Sequence, residues 1–139
     1  MINFHLEDID IKIQQKVKLK SWLKSVIESE GFKLGDINYV FCSDDYLLKV
    51  NIEYLDHDYL TDIITFDNSE EEELIEGDIF ISIDRVKDNA KTFEVSFEYE
   101  LKRVLVHGVL HLCGYLDKTD EEEKLMRSKE NNYLQLFAQ

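Results

Sequence analysis

The segment from His107 to His111 most constrains this chain, because it places two imidazoles at positions i and i+4 of a predicted helix. Residues four apart in an α-helix project from the same face. Gly114 follows three residues after the second histidine, where a left-handed turn can end the helix. Asp117 comes three residues later and can turn back toward both rings. The spacing therefore offers two nitrogens and one oxygen to a single cation.

Two interpretations of this histidine pair stay open at the level of spacing. Three protein ligands with a fourth position free are typical of a catalytic zinc site, whereas structural zinc sites are usually closed by four ligands. Alternatively, His107 and His111 form a polar face or a pair of core histidines with hydrogen-bond partners in the protein. The surrounding residues are apolar almost all round, which predicts a buried helix. A buried imidazole needs a partner in either case.

Length and composition predict one globular domain spanning residues 1–139. Hydrophobic residues make up 44% and aromatic residues 12% of the chain, which argues against disorder. No apolar run approaches the length of a transmembrane helix. The N-terminal residues lack the basic region and apolar core of a signal peptide, so we expect a cytoplasmic protein. Cys42 and Cys113 lie far apart in apolar stretches and are expected to be reduced packing residues.

The net charge of −14 argues against broad, sequence-independent binding of nucleic acid, DNA included, because such binding needs a basic surface. The charge does not exclude a local basic region or a bound cation. One group of lysines lies on the polar face of the predicted N-terminal helix: Lys12, Lys16, Lys18, Lys20 and Lys24. This group is either a solvated helix face or a surface that attracts phosphates.

Periodicity predicts nine elements in the order β-α-β-α-β-β-α-α-α. The strands are predicted at residues 2–6, 37–42, 61–66 and 77–83. The helices are predicted at about residues 10–29, 44–54, 84–93, 97–113 and 120–137. Asp84 is the expected cap of the third helix, and Thr119-Asp120-Glu121-Glu122 has the form of a capping box. The elements predict an α+β fold, a four-stranded sheet packed with helices, and the histidines on a central helix in a zincin-like site.

Four segments share their order and spacing with one known family. Residues 107–115 resemble the pattern H-G-x-L-H-L-x-G-Y-D-H. Residues 61–66 resemble T-D-V-L-S-F, and residues 77–82 resemble G-D-I-x-I-S. An N-x-x-Y segment begins at Asn51, and the agreement runs from about residue 38 to residue 130. On these motifs the chain is identified as a member of the YbeY-type endoribonucleases.

The resemblance implies an activity, a cofactor and partners. It implies a metal-dependent endoribonuclease specific for single strands, acting in ribosomal RNA maturation at the 16S 3′ end. His107, His111 and Asp117 take the positions of the metal ligands, for one Zn²⁺ or another divalent ion such as Ni²⁺. The expected partners are ribosomal RNA and the ribosome or a ribosomal protein, with no membrane and no DNA.

Two departures from the family pattern concern the proposed site. Asp117 stands where the family usually has a third histidine, and this exchange adds a negative charge that is expected to weaken Lewis acidity and broaden the choice of metal. Leu55 stands where the family commonly has an arginine. His57, two residues later, either holds a phosphate in its place or is a histidine of a surface loop.

Residues close to the histidines are candidates for further roles. Arg103 lies one turn before His107 and is predicted to clamp a phosphate. Glu100 is predicted either to pair with Arg103 or to orient His107. For both, a simple surface ion pair is the alternative. Gly108 occupies the position of the catalytic glutamate in H-E-x-x-H proteases, and we expect it to allow close approach of a backbone or of substrate.

Two other functions stay open from the sequence. The histidine spacing also fits a metal-dependent hydrolase of a peptide or a small phosphoester, although Gly108 counts against the peptidase form. A ribosome-associated binding module with a structural metal fits the two departures at Leu55 and Asp117.

Overall fold

The computed structural model describes residues 1–138, and its elements follow the predicted order. The strands are β1 (Ile2–Leu6), β2 (Lys33–Cys42), β3 (Ile63–Asp67) and β4 (Leu74–Ser82). The helices are α1 (Lys16–Ser29), α2 (Asp44–Leu55), α3 (Ile83–Thr92), α4 (Phe97–Leu112) and α5 (Asp120–Ala138). The prediction of an α+β domain with a four-stranded sheet is confirmed.

The four strands form one mixed sheet in the order β1-β2-β4-β3. Parallel pairing joins β1 to β2 and β2 to β4, while β3 runs antiparallel to β4. The acidic residues 70–73 lie in the exposed loop between β3 and β4. The β3–β4 edge lies under α4, which brings the sheet close to the histidines.

The sheet buries both of its faces because its strands alternate between two apolar clusters. On one face, Ile37 and Ile79 contact the cluster that includes α1 and α4, with Leu23 and Leu105 fully buried in it. On the other face, α2 covers a smaller cluster of buried residues: Cys42, Leu47, Val50 and Ile64. Cys42 and Cys113 are free, as predicted. No helix within residues 1–138 has the length and apolar character needed to cross a membrane.

The prediction of a helix from residue 10 was wrong, because α1 begins at Lys16. Residues 10–13 are not helical, and Ile11 and Ile13 pack against the core while Lys12 between them is exposed. This period-two pattern belongs to extended chain, and it was misread as part of the helical pattern that follows. Gln15, with φ 56°, then turns the chain into the helix.

Several other boundaries also differ from the predictions. The cap of α3 is Ser82 rather than Asp84, since the Arg85 amide donates a hydrogen bond to the Ser82 hydroxyl at 3.2 Å. The Asp84 carboxylate accepts from the Asp44 amide instead, at 2.9 Å. Strand β2 begins four residues earlier than predicted and carries an irregularity between residues 34 and 37. Strand β3 begins at Ile63, two residues later than predicted.

Gly108 allows α4 to lie close to the sheet. A Cβ at this position would come within 3.0 Å of Ile79 Cδ1, 3.1 Å of Ile79 Cγ2 and 3.2 Å of Ile63 Cδ1. The group that approaches Gly108 is therefore a pair of isoleucine side chains, rather than the backbone or substrate that we expected. Because α4 also carries His107 and His111, this contact sets the distance between the sheet and the helix that bears the histidines.

We expect Gly108→Ala to destabilise the protein by up to about 2 kcal/mol. Overpacking against Ile79 and Ile63 costs about 1–3 kcal/mol, and alanine returns about 1 kcal/mol through its better helix propensity. Urea denaturation of the variant and the wild type measures this difference.

Ile79→Val provides the matched control, because it removes the closest of the crowding atoms and costs about 0.5–1.5 kcal/mol by itself. The double variant Gly108→Ala/Ile79→Val should lose less stability than the sum of the two single changes. A Gly108→Ala variant more stable than the wild type by the full helix-propensity gain of about 1 kcal/mol would show that the close packing at Gly108 is not a constraint.

Candidate metal-binding and catalytic site

Helix α4 presents both predicted histidines on one face. The Ser96 hydroxyl caps the helix by accepting from the Tyr99 amide at 3.1 Å, and apolar residues bury most of the helix surface. The rings of His107 and His111 lie parallel, with 7° between their planes and 6.5 Å between their centroids. The two imidazoles therefore face the same region from successive turns of a rigid element.

The chain turns back directly after α4. Gly114 adopts φ 109°, in the left-handed region, and the amide of Tyr115 donates to the Leu110 carbonyl at 3.1 Å. This turn places Asp117 beside the first histidine, with Asp117 Oδ2 3.2 Å from His107 Nε2. The carboxylate is partly exposed, whereas the imidazole is mostly buried.

Glu130 holds the other nitrogen of His107. This carboxylate lies on α5, is only 3% exposed and places Oε2 2.8 Å from His107 Nδ1. Since a carboxylate accepts, Nδ1 carries the proton, and Nε2 is the nitrogen that faces Asp117. A carboxylate behind a histidine fixes the ring orientation and raises its basicity as a metal ligand.

The charges around His107 shift its pKa. Burial alone lowers the pKa of the ring, but the hydrogen bond and charge of Glu130, with the charges of Asp117 and Asp62, outweigh burial. The pKa of His107 is therefore raised from its ordinary value of 6.5. The protein around the ring thus favours a positive charge at this position.

Arg103 contacts two buried carboxylates. Its Nη1 lies 3.0 Å from Glu130 Oε1, and its Nε lies 3.4 Å from Glu100 Oε1. Glu100 therefore pairs with Arg103, which was one of its two predicted roles, while Glu130 rather than Glu100 orients His107. The surface ion pair considered for Arg103 and Glu100 is largely buried, because their side chains are only 13% and 3% exposed.

Further negative charge surrounds the site. Burial raises the pKa of Asp62, an effect that His107 opposes and that Glu130 and Asp117 reinforce. Burial likewise raises the pKa of Glu100, whose Oε1 has no hydrogen-bond partner among residues 1–138. Carboxylates that crowd together in this way favour a bound cation or retained protons.

His57 lies in the same cleft as the metal-ligand candidates. A cleft of about 270 Å³ is lined by His57, His107, His111 and Asp117, together with Leu55 and Tyr59. The His57 ring stacks on Tyr59, and the Tyr59 hydroxyl is 3.0 Å from His57 Nδ1. The structure therefore brings His57 to the predicted site, although the residue itself is exposed.

A second, larger cleft of about 1000 Å³ adjoins the first. Its lining includes Asp62, Glu100, Arg103 and Glu130, and it shares His107 and Asp117 with the smaller cleft. Thr61 and Ile63 also line both clefts, and both clefts are open to solvent, so the site lies along a path rather than at the bottom of a closed pocket.

The residues present partly fit a metal ion. His107 Nε2, His111 and the Asp117 carboxylate form a donor set that suits Zn²⁺ and other divalent transition metals. His111 Nδ1 is buried without a hydrogen-bond partner in the part of the chain that the structure describes. Within residues 1–138, however, no three His, Cys, Asp or Glu side chains are already placed to hold one ion together. The ligand set therefore stays a prediction.

Sequence reasoning missed Glu130, although a signal for it exists. The buried face of α5 is formed by Met126, Glu130, Tyr133, Leu134 and Phe137. A glutamate within an apolar helical stripe must have a buried partner, since burying an unpaired carboxylate is very costly. The partners are Arg103 and His107, which lie more than 20 residues earlier in the chain.

Comparison with known proteins agrees with the resemblance noted in the sequence. The family model described as Endoribonuclease YbeY matches residues 1–138. Proteins named Endoribonuclease YbeY from Flavobacterium psychrophilum and Flavobacterium johnsoniae are 56% and 55% identical over 137 residues. These matches cover 99% of this chain and 96% and 97% of the relatives.

A third relative of the same name, from Cytophaga hutchinsonii, is 53% identical over 97% of this chain and 94% of its own length. Among solved structures, the solution structure of TM1509 from Thermotoga maritima is similar, with a TM-score of 0.69 and 29% identity. The match covers 99% of this chain and 89% of that protein. By sequence and fold together, this chain belongs to the Endoribonuclease YbeY family.

Proposed function

We propose that this protein is a metal-dependent endoribonuclease that cuts single-stranded RNA during ribosomal RNA maturation, in the cytoplasm and on the ribosome. The proposed cofactor is one divalent ion, Zn²⁺ or a related metal such as Ni²⁺. Membership of the Endoribonuclease YbeY family supports cleavage of RNA. The site geometry supports the assignment of residues to roles.

The observation that most directly supports the proposal is the position of His107 between two carboxylates. Glu130 Oε2 lies 2.8 Å from His107 Nδ1, and Asp117 Oδ2 lies 3.2 Å from His107 Nε2. A histidine oriented from behind in this way is prepared to bind a cation through Nε2. We therefore assign His107, His111 and Asp117 as the metal ligands, and Glu130 as the residue that positions His107.

A bound cation would also resolve a conflict of charge in this cleft. Asp62 and Asp117 repel a phosphodiester, so an RNA backbone gains little from this surface in the absence of a bound positive charge. A divalent ion held by His107, His111 and Asp117 would supply that charge and the Lewis acidity that phosphodiester hydrolysis needs.

The two joined clefts support cleavage within a strand. An RNA chain that enters along one cleft can leave along the other and pass His107 and Asp117 between them. A closed pocket would instead favour the end of a chain. The open path therefore matches an endonuclease better than an exonuclease.

His57 and Arg103 receive different roles. His57 lines the smaller cleft, and its exposed ring can contact a phosphate, which makes it our candidate for the arginine commonly found at residue 55 in the family. Arg103 lines the larger cleft, but it contacts Glu100 and Glu130. We therefore propose that Arg103 acts mainly by holding Glu130 in place rather than by clamping phosphate.

A second candidate function is a ribosome-associated binding module that uses its metal structurally. The observations that favour it are the two departures from the family pattern, Leu55 and Asp117. Under this alternative the protein binds metal and RNA but does not cut RNA. A third possibility is a hydrolase of another phosphoester. Offering a small phosphoester and RNA as substrates in the same assay distinguishes it from the proposed endoribonuclease.

We expect His111→Ala to lose bound metal and RNA cleavage together. Removing one of three ligands leaves too few donors to retain the ion, so the metal content of purified protein should fall at least about tenfold. Elemental analysis and cleavage of a single-stranded RNA oligonucleotide measure the two effects on the same preparation.

His5→Ala is the matched control, because His5 is an exposed histidine of β1 whose ring forms a hydrogen bond with the Asn38 side chain. This variant should keep both metal and cleavage. Cleavage by a His111→Ala protein free of metal would contradict the proposed metal site. A wild type that binds metal but does not cut RNA would establish the binding module instead.

We expect Glu130→Gln to lower the pKa of His107 in metal-free protein and to weaken metal binding by about 10–100-fold. The charge and hydrogen bond of Glu130 raise this pKa, and glutamine keeps an acceptor oxygen without the charge. NMR titration of the histidine ring protons measures the pKa, and competition with a chromogenic chelator measures metal affinity.

Arg103→Gln is the second variant, because it removes the cation that we propose holds Glu130 in place and leaves the Glu130 carboxylate itself. If Arg103 has that role, the pKa of His107 should fall here as well, whereas a rise would show that Glu130 keeps its contact with His107 without Arg103. The raised pKa of His107 in the folded state also makes the free energy of unfolding depend on pH. Protonated His107 stabilises the metal-free wild type below pH 6.5, and this contribution is lost as the pH rises through the folded pKa. An unchanged pKa in Glu130→Gln would contradict the positioning role.

A further inference from the structure

A lysine-rich surface lies at the start of α1, formed by Lys12, Lys16, Lys18, Lys87 and Lys102. Two adjoining hollows of about 950 Å³ and 270 Å³ share Lys12 and Gln15 in their linings. Lys16 and Lys18 line the larger hollow, and Lys87 and Lys102 line the smaller one together with one acid, Glu98. This surface is positively charged, although the chain as a whole has a net charge of −14.

The charges of the lysine surface are not neutralised by the neighbouring protein. Within residues 1–138, none of the five lysines forms an ion pair, whereas Lys129 pairs with Glu30 at 3.4 Å. Residues 11–27 carry five lysines and no acidic residue. The sequence left two interpretations for the N-terminal lysines, a solvated face or a surface that attracts phosphates. Lys12, Lys16 and Lys18 line the hollows, which favours the second interpretation for these three, whereas Lys20 and Lys24 line neither hollow.

Two of these lysines are held beside one aromatic ring. Lys18 Nζ lies 4.3 Å and Lys102 Nζ 4.1 Å from the centroid of the Phe137 ring. Burial and the nearby charge of Lys18 lower the pKa of Lys102, with Glu98 opposing them. Two ammonium groups near one ring repel each other, and an anion bound close to both relieves that repulsion.

The hollows also offer an apolar surface beside the positive charges. Val17 and Leu136 line the larger hollow and are exposed at 84% and 56%, whereas Trp22 and Phe137 in the same wall are only 7% and 5% exposed. Single-stranded nucleic acid matches this combination, because its phosphates contact lysines while its bases pack on exposed apolar side chains. An acidic protein segment would use the charges as well, but its carboxylates lack the regular spacing along a backbone that RNA provides.

We propose that the lysine surface binds the phosphate backbone of the substrate RNA outside the cleft. The inference rests on the proposed function, and it explains how a protein with an acidic cleft holds a polyanion. Contacts to phosphate supply affinity without sequence preference. The cleft then needs to recognise only the nucleotides next to the cut.

The test compares two triple variants in binding of a fluorescent single-stranded RNA oligonucleotide, measured by anisotropy with chelator present to prevent cleavage. Lys16→Gln/Lys18→Gln/Lys102→Gln neutralises the lysine surface. Lys33→Gln/Lys49→Gln/Lys91→Gln removes the same charge from exposed lysines outside that surface and serves as the matched control. Thermal melting of both variants checks that each is folded.

Neutralising the surface should weaken binding about tenfold or more at roughly 50 mM salt, and should reduce the slope of log Kd against log salt by about 2, whereas the control should change both much less. Arginine at the same three positions should restore binding. Equal RNA binding by the two glutamine variants would overturn the proposed role of the lysine surface, even if the wild-type protein cuts RNA. A wild type that neither binds nor cuts RNA would overturn the proposed function as well.

Discussion

The contact between Glu130 and His107 joins the structure of this domain to its chemistry. A carboxylate that is 3% exposed is stable only when its charge is compensated, and here Arg103 and His107 provide the compensation. The same contact docks α5 onto α4 and fixes the ring of a proposed metal ligand. Removing it would therefore disturb the packing of two helices and the orientation of the site together.

Charge is distributed over this protein in a way that separates two tasks. Carboxylates surround His107 and make its neighbourhood suitable for a cation. The lysine surface near the start of α1 concentrates positive charge, and its lysines form no ion pair within residues 1–138. On this view the chain attracts RNA at one place and handles the scissile phosphate at another, with a metal ion supplying the positive charge in the cleft.

Local patterns predicted most of the fold, because helical and alternating spacings are recorded in neighbouring residues. The order of the elements, the turn at Gly114 and the capping box at Thr119 were all accessible in this way. Errors arose where two local patterns overlap, as at residues 10–15, or where several caps compete, as at Ser82. Glu130 was missed because its partners on α4 are distant in sequence, and only the tertiary fold brings them together.

The three proposed metal ligands differ in how freely each can be exchanged. His107 and His111 belong to the buried helix α4, where a new side chain must also satisfy the surrounding core. Asp117 lies outside the helix, on a partly exposed turn that Gly114 begins. A change of donor at residue 117 therefore leaves the buried interior intact, so Asp117 is the proposed ligand whose exchange would alter metal preference with the least effect on folding.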